Sequence, residues 1–510
     1  MVSSLRKASD SIGRVPEIDV LVARPGEIEA DVLAVAVPEP AAQLPTAAAE
    51  LDARLGGRLS TLSQDGDVTG RRDTATILHV AVDGAKRVAA AGLGVAEQLD
   101  DDSFRTAAAA VARRAREFGG TIGWIPDPSL PVPIGDQVRA VVEGVILGAY
   151  DAGRWKTNSS ERRRIQRLAI VTDRGELAEV ADRARVVAAW TNRARDLSNM
   201  PANELTPERL AMMAQEIAGE VQGLTVEAMG LEQARALEMG AFSAVAQGSR
   251  NAAQMIVMRY DPPSPQGAVV LGLVGKAITF DTGGISIKPS EGMEEMKHDM
   301  SGGAAVVAAM GAIAELAIPL RTIAVVAATE NMPDGGAYRP GDILRARNGK
   351  TIEVISTDAE GRLVLADALT YAREQGATHL LDLATLTGAM VVALGDIYAG
   401  VFANQESWRD QIVAAGAASG DRVWPMPLDP RYRRLIDSDY ADMRNTGRFR
   451  MAGAQAGAQL LEEFAGDGPW AHLDIAGPAA LSHGRGDYLS QKGGTGYGVR
   501  LIAELASSLA

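Results

Sequence analysis

Short apolar runs recur along the chain, and longer stretches between them place their apolar residues on one helical face. From residue 18 to 170 the runs Asp31–Val37, Thr76–Val82, Val88–Gly92 and Leu168–Thr172 predict strands, and Ala-rich Phe104–Phe118 predicts a helix. That rhythm predicts an α/β domain. Pro-rich Ile125–Ile134 reads as a surface loop. Glu176–Ser198 contains neither Gly nor Pro and predicts a long connecting helix, which Asn199-Met200-Pro201 ends. Beyond Pro207, the strands Met255–Tyr260, Ala268–Val274, Thr322–Ala328 and Leu380–Ala384 alternate with the helices Thr206–Val221, Gly302–Leu316 and Arg362–Gln375. These strands are apolar at nearly every position, as in a mostly parallel central sheet flanked by helices on both faces. The expected organisation is an N-terminal α/β domain over residues 1–175, a connecting helix over 176–198 and a larger C-terminal domain over 199–510.

Length agrees with two domains, since 510 residues exceed one ordinary core. Hydrophobic residues make up 46% and charged residues 23%, the balance of a soluble globular protein. The net charge of −14 argues against an electrostatic nucleic-acid binder. The basic cluster Arg154–Arg167 therefore reads as a solvated or subunit-contacting segment. The absence of cysteine excludes disulfides, thiolate metal sites and cysteine nucleophiles. Met1–Val20 mixes charges without an apolar core, so it does not read as a signal peptide. Gly302–Leu316 is the longest apolar run and is too short to cross a bilayer; no membrane role and a cytoplasmic setting are expected.

The candidate chemistry lies in two segments. In Ser356–Leu363, Asp358 and Glu360 stand two residues apart with Arg362 two further on, where a strand gives way to a helix. Asn348-Gly349 predicts the tight turn of the hairpin that delivers them, and free amides at the helix start favour anions. In Gly275–Pro289, which also carries Lys288, Lys276 and Asp281 are expected just past the end of Ala268–Val274, where open α/β sheets bind ligands, and Asp299 follows. Four acids converging on one place repel one another unless a cation sits among them. Asp281, Asp299, Asp358, Glu360 and Lys276 form an oxygen-rich donor set suited to Mn²⁺, Zn²⁺ or Mg²⁺ in a two-metal arrangement. A lysine ligand must be a neutral amine, so cations and burial would have to draw its pKa down. Alone, Asp-x-Glu is ordinarily a cap or solvated turn, and Gly283-Gly284 only a turn. The five histidines show no ligand spacing, and His298 reads as an exposed side chain beside Asp299, the alternative being a group that supports that ligand from behind. Neither Gly272–Ala277 nor Asn348–Thr351 completes a phosphate loop, because the upstream glycine is missing.

Together with Asn203–Pro207, Asp382–Ala389, Ala471–Gly477 and Lys492–Arg500, these segments resemble the leucyl aminopeptidase family of metal-dependent peptidases. The resemblance implies that Asp281 and Glu360 bridge two ions, that Asp358 completes one site, and that Lys276 and Asp299 complete the other. It implies a metal-bridged hydroxide as nucleophile, a bicarbonate on Arg362 as proton relay, and a charged Lys288 that polarises the scissile carbonyl. Met296, Thr385 and Gly388 would contact substrate. Packing remains open for Met293 and Met300, a helix cap for Thr385 and a packing role for Gly388. Ser356 departs from the family, which has Asn there, and leaves subsite preference open. The implied partners are short peptides with a free N-terminus, leucine and other apolar residues preferred, and the implied assembly is a homohexamer. Two alternatives remain, a DNA-binding architectural or regulatory protein on the same scaffold and a non-catalytic relative.

Overall fold

A computed structural model describes residues 18–24, 26–41, 43–157, 164–449 and 451–510. The expected basic cluster at Arg154–Arg167 lies partly outside the described residues, as does most of Met1–Val20. The chain forms two compact units. One holds residues up to Ala189 together with His483–Gln491, and the other holds Trp190–Ser482 and Lys492–Ala510. The helix Leu177–Asn199 begins in the first and ends in the second.

The first unit is built on a six-stranded sheet. Its strands are β1 (Asp19–Ala23), β2 (Val32–Glu39), β3 (Ala75–Leu78), β4 (Val88–Val95), β5 (Gly120–Ile125) and β6 (Ile165–Val171). They run in the order β1-β6-β5-β2-β4-β3, parallel throughout except for the antiparallel edge strand β3. The apolar runs in β2 and β4 are buried at almost every position, as a sheet covered on both faces requires. Two strands the pattern did not announce, β1 and β5, extend it, and so does the helix Ile134–Gly148. Pro126 and Asp127, in the expected surface loop, are buried, because the Asp127 carboxylate accepts from Ala47 N at 2.7 Å and from Ser129.

The second unit carries an eight-stranded sheet. It comprises β7 (Leu224–Gly230), β8 (Gln254–Tyr260), β9 (Val270–Asp281), β10 (Arg321–Asn331), β13 (His379–Ala384), β14 (Ala399–Ala403), β15 (Val423–Pro425) and β17 (Trp470–Asp474). A small separate sheet holds β11 (Ile343–Arg345), β12 (Thr351–Glu353) and β16 (Met443–Arg444). In the large sheet the order is β15-β14-β17-β13-β9-β10-β8-β7, and the centre β17-β13-β9-β10 is parallel. The helix Ser301–Glu315 lies against β9 with every residue but its last buried. Glycine makes that approach possible: a Cβ on Gly275 would stand 2.7 Å from the Cα of Gly303.

One boundary differs from expectation in a way that matters. β9 does not stop at Val274; it continues to Asp281, with Lys276 inside it beside Ala327 of β10 and Asp281 beside Asn331. Lys276 does not break the strand because ladder pairing continues on both sides of it and buried carboxylates meet its amine. The core strand itself therefore carries two candidate ligands, a stiffer mount than the loop first expected.

Candidate metal centre

Three separate elements bring the predicted ligands to one end of the central sheet. β9 supplies Lys276 and Asp281, the 3₁₀ turn Met293–His298 is followed at once by Asp299, and the segment before the helix Gly361–Glu374 supplies Asp358 and Glu360. Lys276 Nζ stands 2.8 Å from Asp299 Oδ2 and 2.7 Å from Glu360 Oε1. Lys288 Nζ stands 2.8 Å from Asp281 Oδ2 and also pairs with Asp358. Carboxylate oxygens of Asp281, Asp358 and Glu360 lie within 4.8 Å of one another. Gly361 clears the way for the lysine, since a Cβ there would sit 2.9 Å from Lys276 Nζ.

The electrostatics are those of a cluster short of positive charge. Four carboxylates face two ammonium groups. Burial pushes Asp281 up to about 6 and Asp299 to about 8, helped by the neighbouring acids, and burial raises Asp358 as well. Burial would lower Lys276, but Asp299, Glu360 and Asp281 outweigh it and hold the amine above its ordinary value. Burial would likewise raise Glu360, yet Lys276 and Lys288 hold it below. Asp299 Oδ2 is buried and, despite its nearness to Lys276, accepts no well-directed hydrogen bond. An oxygen-rich set with one amine, compressed to this degree and carrying an under-used carboxylate oxygen, fits hard or borderline divalent cations.

The other expected residues divide. Arg362 is buried beside the cluster; its Nη1 donates to Asn445 O at 2.8 Å, and its Nε has no partner. Burial lowers its pKa against the pull of Glu360 and Asp474. Thr385 is no helix cap: its hydroxyl donates to Asp299 Oδ1 at 2.7 Å, and its carbonyl accepts from Lys276 at 3.1 Å. Gly388 opens the helix Gly388–Leu394, is exposed, and a Cβ there would meet nothing within 4 Å. Met296 and Met293 are half-buried, whereas Met300 belongs to the core. His298 corrects an expectation. It is buried, not exposed, because its Nδ1 lies 2.7 Å from the carbonyl of Ser198, and burial lowers its pKa to about 4.

Several residues that hold the donors left no motif. Asn331, fully buried at the end of β10, donates to Asp281 Oδ1 at 2.8 Å and Glu360 Oε2 at 3.4 Å, touching both expected bridging carboxylates. Thr357 binds the Lys288 loop: its hydroxyl donates to Gly283 O and accepts from Ser286 N at 2.8 Å. Tyr338 donates to Thr357 O at 2.7 Å. Asp474 accepts from the amides of Leu386, Thr387 and Ala476 and from the Thr387 hydroxyl, fixing the turn that includes Thr385. His472 pairs with Asp382 at 2.5 Å behind it. The polar pair Glu330-Asn331 ending an apolar strand is the one signal that sequence offered.

Comparison with known proteins agrees with this geometry. Residues 192–503 match the catalytic domain of the cytosol aminopeptidase family, and residues 33–159 match that family's N-terminal domain. A probable cytosol aminopeptidase of Solibacter usitatus is 45% identical over 94% of this chain and 97% of its own length. Another, from Roseiflexus castenholzii, is 43% identical over 88% and 92%. Among solved structures, the bottromycin maturation enzyme BotP in complex with Mn superposes with a TM-score of 0.83 at 34% identity, covering 94% of this chain and 99% of that one. A tomato leucine aminopeptidase variant superposes with a TM-score of 0.85 at 32% identity, covering 97% of each. Both domains in order, and relatives matching nearly end to end, leave one conclusion: this chain belongs to the cytosol aminopeptidase family and is a metallo-aminopeptidase.

Proposed function

We propose that this protein removes the N-terminal residue from short peptides, leucine and other apolar residues first, using two divalent ions held by Lys276, Asp281, Asp299, Asp358 and Glu360. The observation that supports it best is the closeness of Asp281, Asp358 and Glu360 within 4.8 Å, with Lys276 in short contact with both Glu360 and Asp299. Asp281 and Glu360 would be shared between the ions, Asp358 would serve one, and Lys276 with Asp299 the other. When bound, such a pair of Mn²⁺, Zn²⁺ or Mg²⁺ supplies Lewis acidity and a water activated near neutral pH. Lys276 must give up its proton to serve as a donor.

The chain's own residues account for the rest. Lys288 is partly exposed, with Asp281 and Asp358 aiming its ammonium. It donates to the scissile carbonyl oxygen, and that bond strengthens as negative charge develops there. Arg362 would hold a bicarbonate, which supplies general-base capacity that no nearby side chain offers. Thr385 orients Asp299 and Lys276. Exposed Gly388 and half-buried Met296 border the space for the substrate side chain, and a thioether adapts to varied apolar groups. The BotP and tomato relatives support metal use and a leucine preference. A homohexamer in the cytoplasm, with residues 1–175 serving assembly and access, completes the reading. No helix among the described residues is long and apolar enough to cross a membrane.

The test is hydrolysis of leucyl, phenylalanyl, lysyl and glutamyl chromogenic amides after chelation and reloading with single metals. The chelated protein should be inactive, and reloading should restore cleavage of the leucyl amide first. Equal cleavage of an N-acetylated leucyl amide, or activity indifferent to chelation, would refute the reading.

A further inference from the structure

Asn445 has no part in the proposed chemistry, yet its bonds converge on it. It is the first residue past β16, where the parallel ladder with β12 ends at Glu353 and Arg444. It is fully buried. Its Oδ1 accepts from Ile355 N at 2.8 Å and Ser356 N at 3.3 Å. Its Nδ2 donates to Ser356 O at 2.6 Å and Ala359 O at 3.5 Å. Its backbone N donates to Glu353 O at 2.9 Å, and its carbonyl accepts from Arg362 Nη1 at 2.8 Å.

Both donors and both acceptor directions of one amide are thereby used on one short stretch, Ile355–Ala359, which carries Asp358. The same residue's carbonyl anchors Arg362. The guanidinium has no carboxylate within hydrogen-bonding distance among the described residues, and its Nε has no partner. An ordinary continuation of the β12–β16 ladder would tie down residue 355 only through backbone bonds. The side-chain amide instead reaches four residues along and fixes the turn and the arginine in one frame. Its partners stand 83–90 residues away in sequence, so no local propensity would hold these groups together without it.

We infer that Asn445 is a positioning residue, setting Arg362 in register with the Asp358-bearing turn so that the group acting at Arg362 and the groups around Asp358 meet the same peptide bond. The inference rests on the proposed function of Arg362. It separates register from mere stability: a staple would lower folding stability and metal content, whereas a register device lowers turnover through Arg362.

The experiment is a double-mutant cycle on the metal-loaded enzyme with Asn445→Ala, Arg362→Ala and the combination, read as kcat and KM on a leucyl amide. Metal stoichiometry and Tm are measured on each. Misplacement by about an ångström can cost about a hundredfold in rate, so Asn445→Ala should lower kcat about ten- to a hundredfold with metal stoichiometry retained. In the combined variant, kcat should match Arg362→Ala within about twofold, because both changes remove one function. Asn445→Asp provides a second route should the alanine variant fold poorly. It keeps the two acceptor contacts, cannot donate to Ser356 O and Ala359 O, and should show the same lack of additivity with Arg362→Ala. Multiplying losses in the cycle, or a kcat for Asn445→Asp equal to wild type, overturns the inference. Lack of metal-dependent cleavage by the wild-type enzyme would instead overturn the aminopeptidase reading itself.

Discussion

The two lysines of the cluster have the same kind of neighbours and different surroundings. Lys276 is 3% exposed, extends from the central strand β9, and ends between Asp299 and Glu360 with the Thr385 carbonyl beside it. Lys288 is 21% exposed, sits in the loop after β9, and ends between Asp281 and Asp358. Carboxylates hold both amines above their ordinary values against burial. Burial decides what each can do next. A fully enclosed amine meets nothing but acceptors, so a cation arriving there can take its proton's place. An amine open on one side keeps its charge and can reach a substrate atom. Similar ion pairs thus support a ligand in one case and an electrophile in the other.

The largest effect should come from removing the group both halves feel. Glu360 contacts Lys276 directly, shares Asn331 with Asp281, and acts electrostatically on Lys288. Glu360→Ala should therefore lose metal and nearly all activity together; unchanged stoichiometry by elemental analysis would refute its bridging role. The next effect separates the lysines. Lys288→Ala should lower kcat by about a hundred- to a thousandfold, the range for losing one transition-state donor, with metal content unchanged. Lys276→Met, of similar length but without charge, should lose an ion. Should both variants retain full metal, or both lose it, burial does not divide the two roles.

A smaller effect sits behind the ligands. Asn331→Ala leaves all five donors in place but unpins Asp281 and Glu360. Metal affinity should fall about ten- to a hundredfold, the usual cost of losing a group that orients a ligand. Titration with a fluorescent chelator competitor measures it, and a wild-type affinity would mean that β9 and the Gly361 helix orient the carboxylates unaided.

The donors were readable in sequence and their holders were not, for a physical reason. Lys276, Asp281, Asp358 and Glu360 are charged residues in apolar or Gly-rich surroundings, and charge placed there stands out against a buried pattern. Asn331, Thr357 and Asn445 act through single amides and hydroxyls on backbone atoms of distant segments, which leaves no periodicity or spacing. The same rule misplaced the end of β9. A lysine read as the edge of a strand is in fact its most functional interior position, since carboxylates from two other elements neutralise it. His298 failed in the opposite sense: polarity suggested exposure, while a carbonyl near the end of another helix accepts a hydrogen bond from its ring inside the fold. Sheet order escaped as well, because apolar runs announce strands without their partners.

The smallest effect tests the lysine comparison at the level of single protons. Before a cation binds, Asp299 holds its carboxyl up at about 8 and Asp281 at about 6, and Lys276 is charged. Ligands must be deprotonated to bind, so cation uptake expels whatever protons these groups carry. The sign follows: affinity rises with pH, most steeply below about 6 where Asp281 and Asp299 both carry protons, and less steeply as first Asp281 and then Asp299 empties between about 6 and 8, while acid competes with the metal. Each proton released adds about tenfold in affinity per pH unit. Lys276 contributes a proton at every pH in that window, because its amine stays charged until the cation arrives. Lys288 contributes none, because it keeps its charge in both states. Calorimetric Mn²⁺ titrations in two buffers of different ionisation enthalpy count these protons. With metal high enough to refill the weakened site, Lys276→Met should release about one fewer proton per subunit, and Lys288→Met should leave the lysine contribution intact. Equal counts in the two variants would show that the enclosed amine keeps its proton, and Lys276 would then have to be read as a charged clamp on Asp299 and Glu360 instead of a donor to metal.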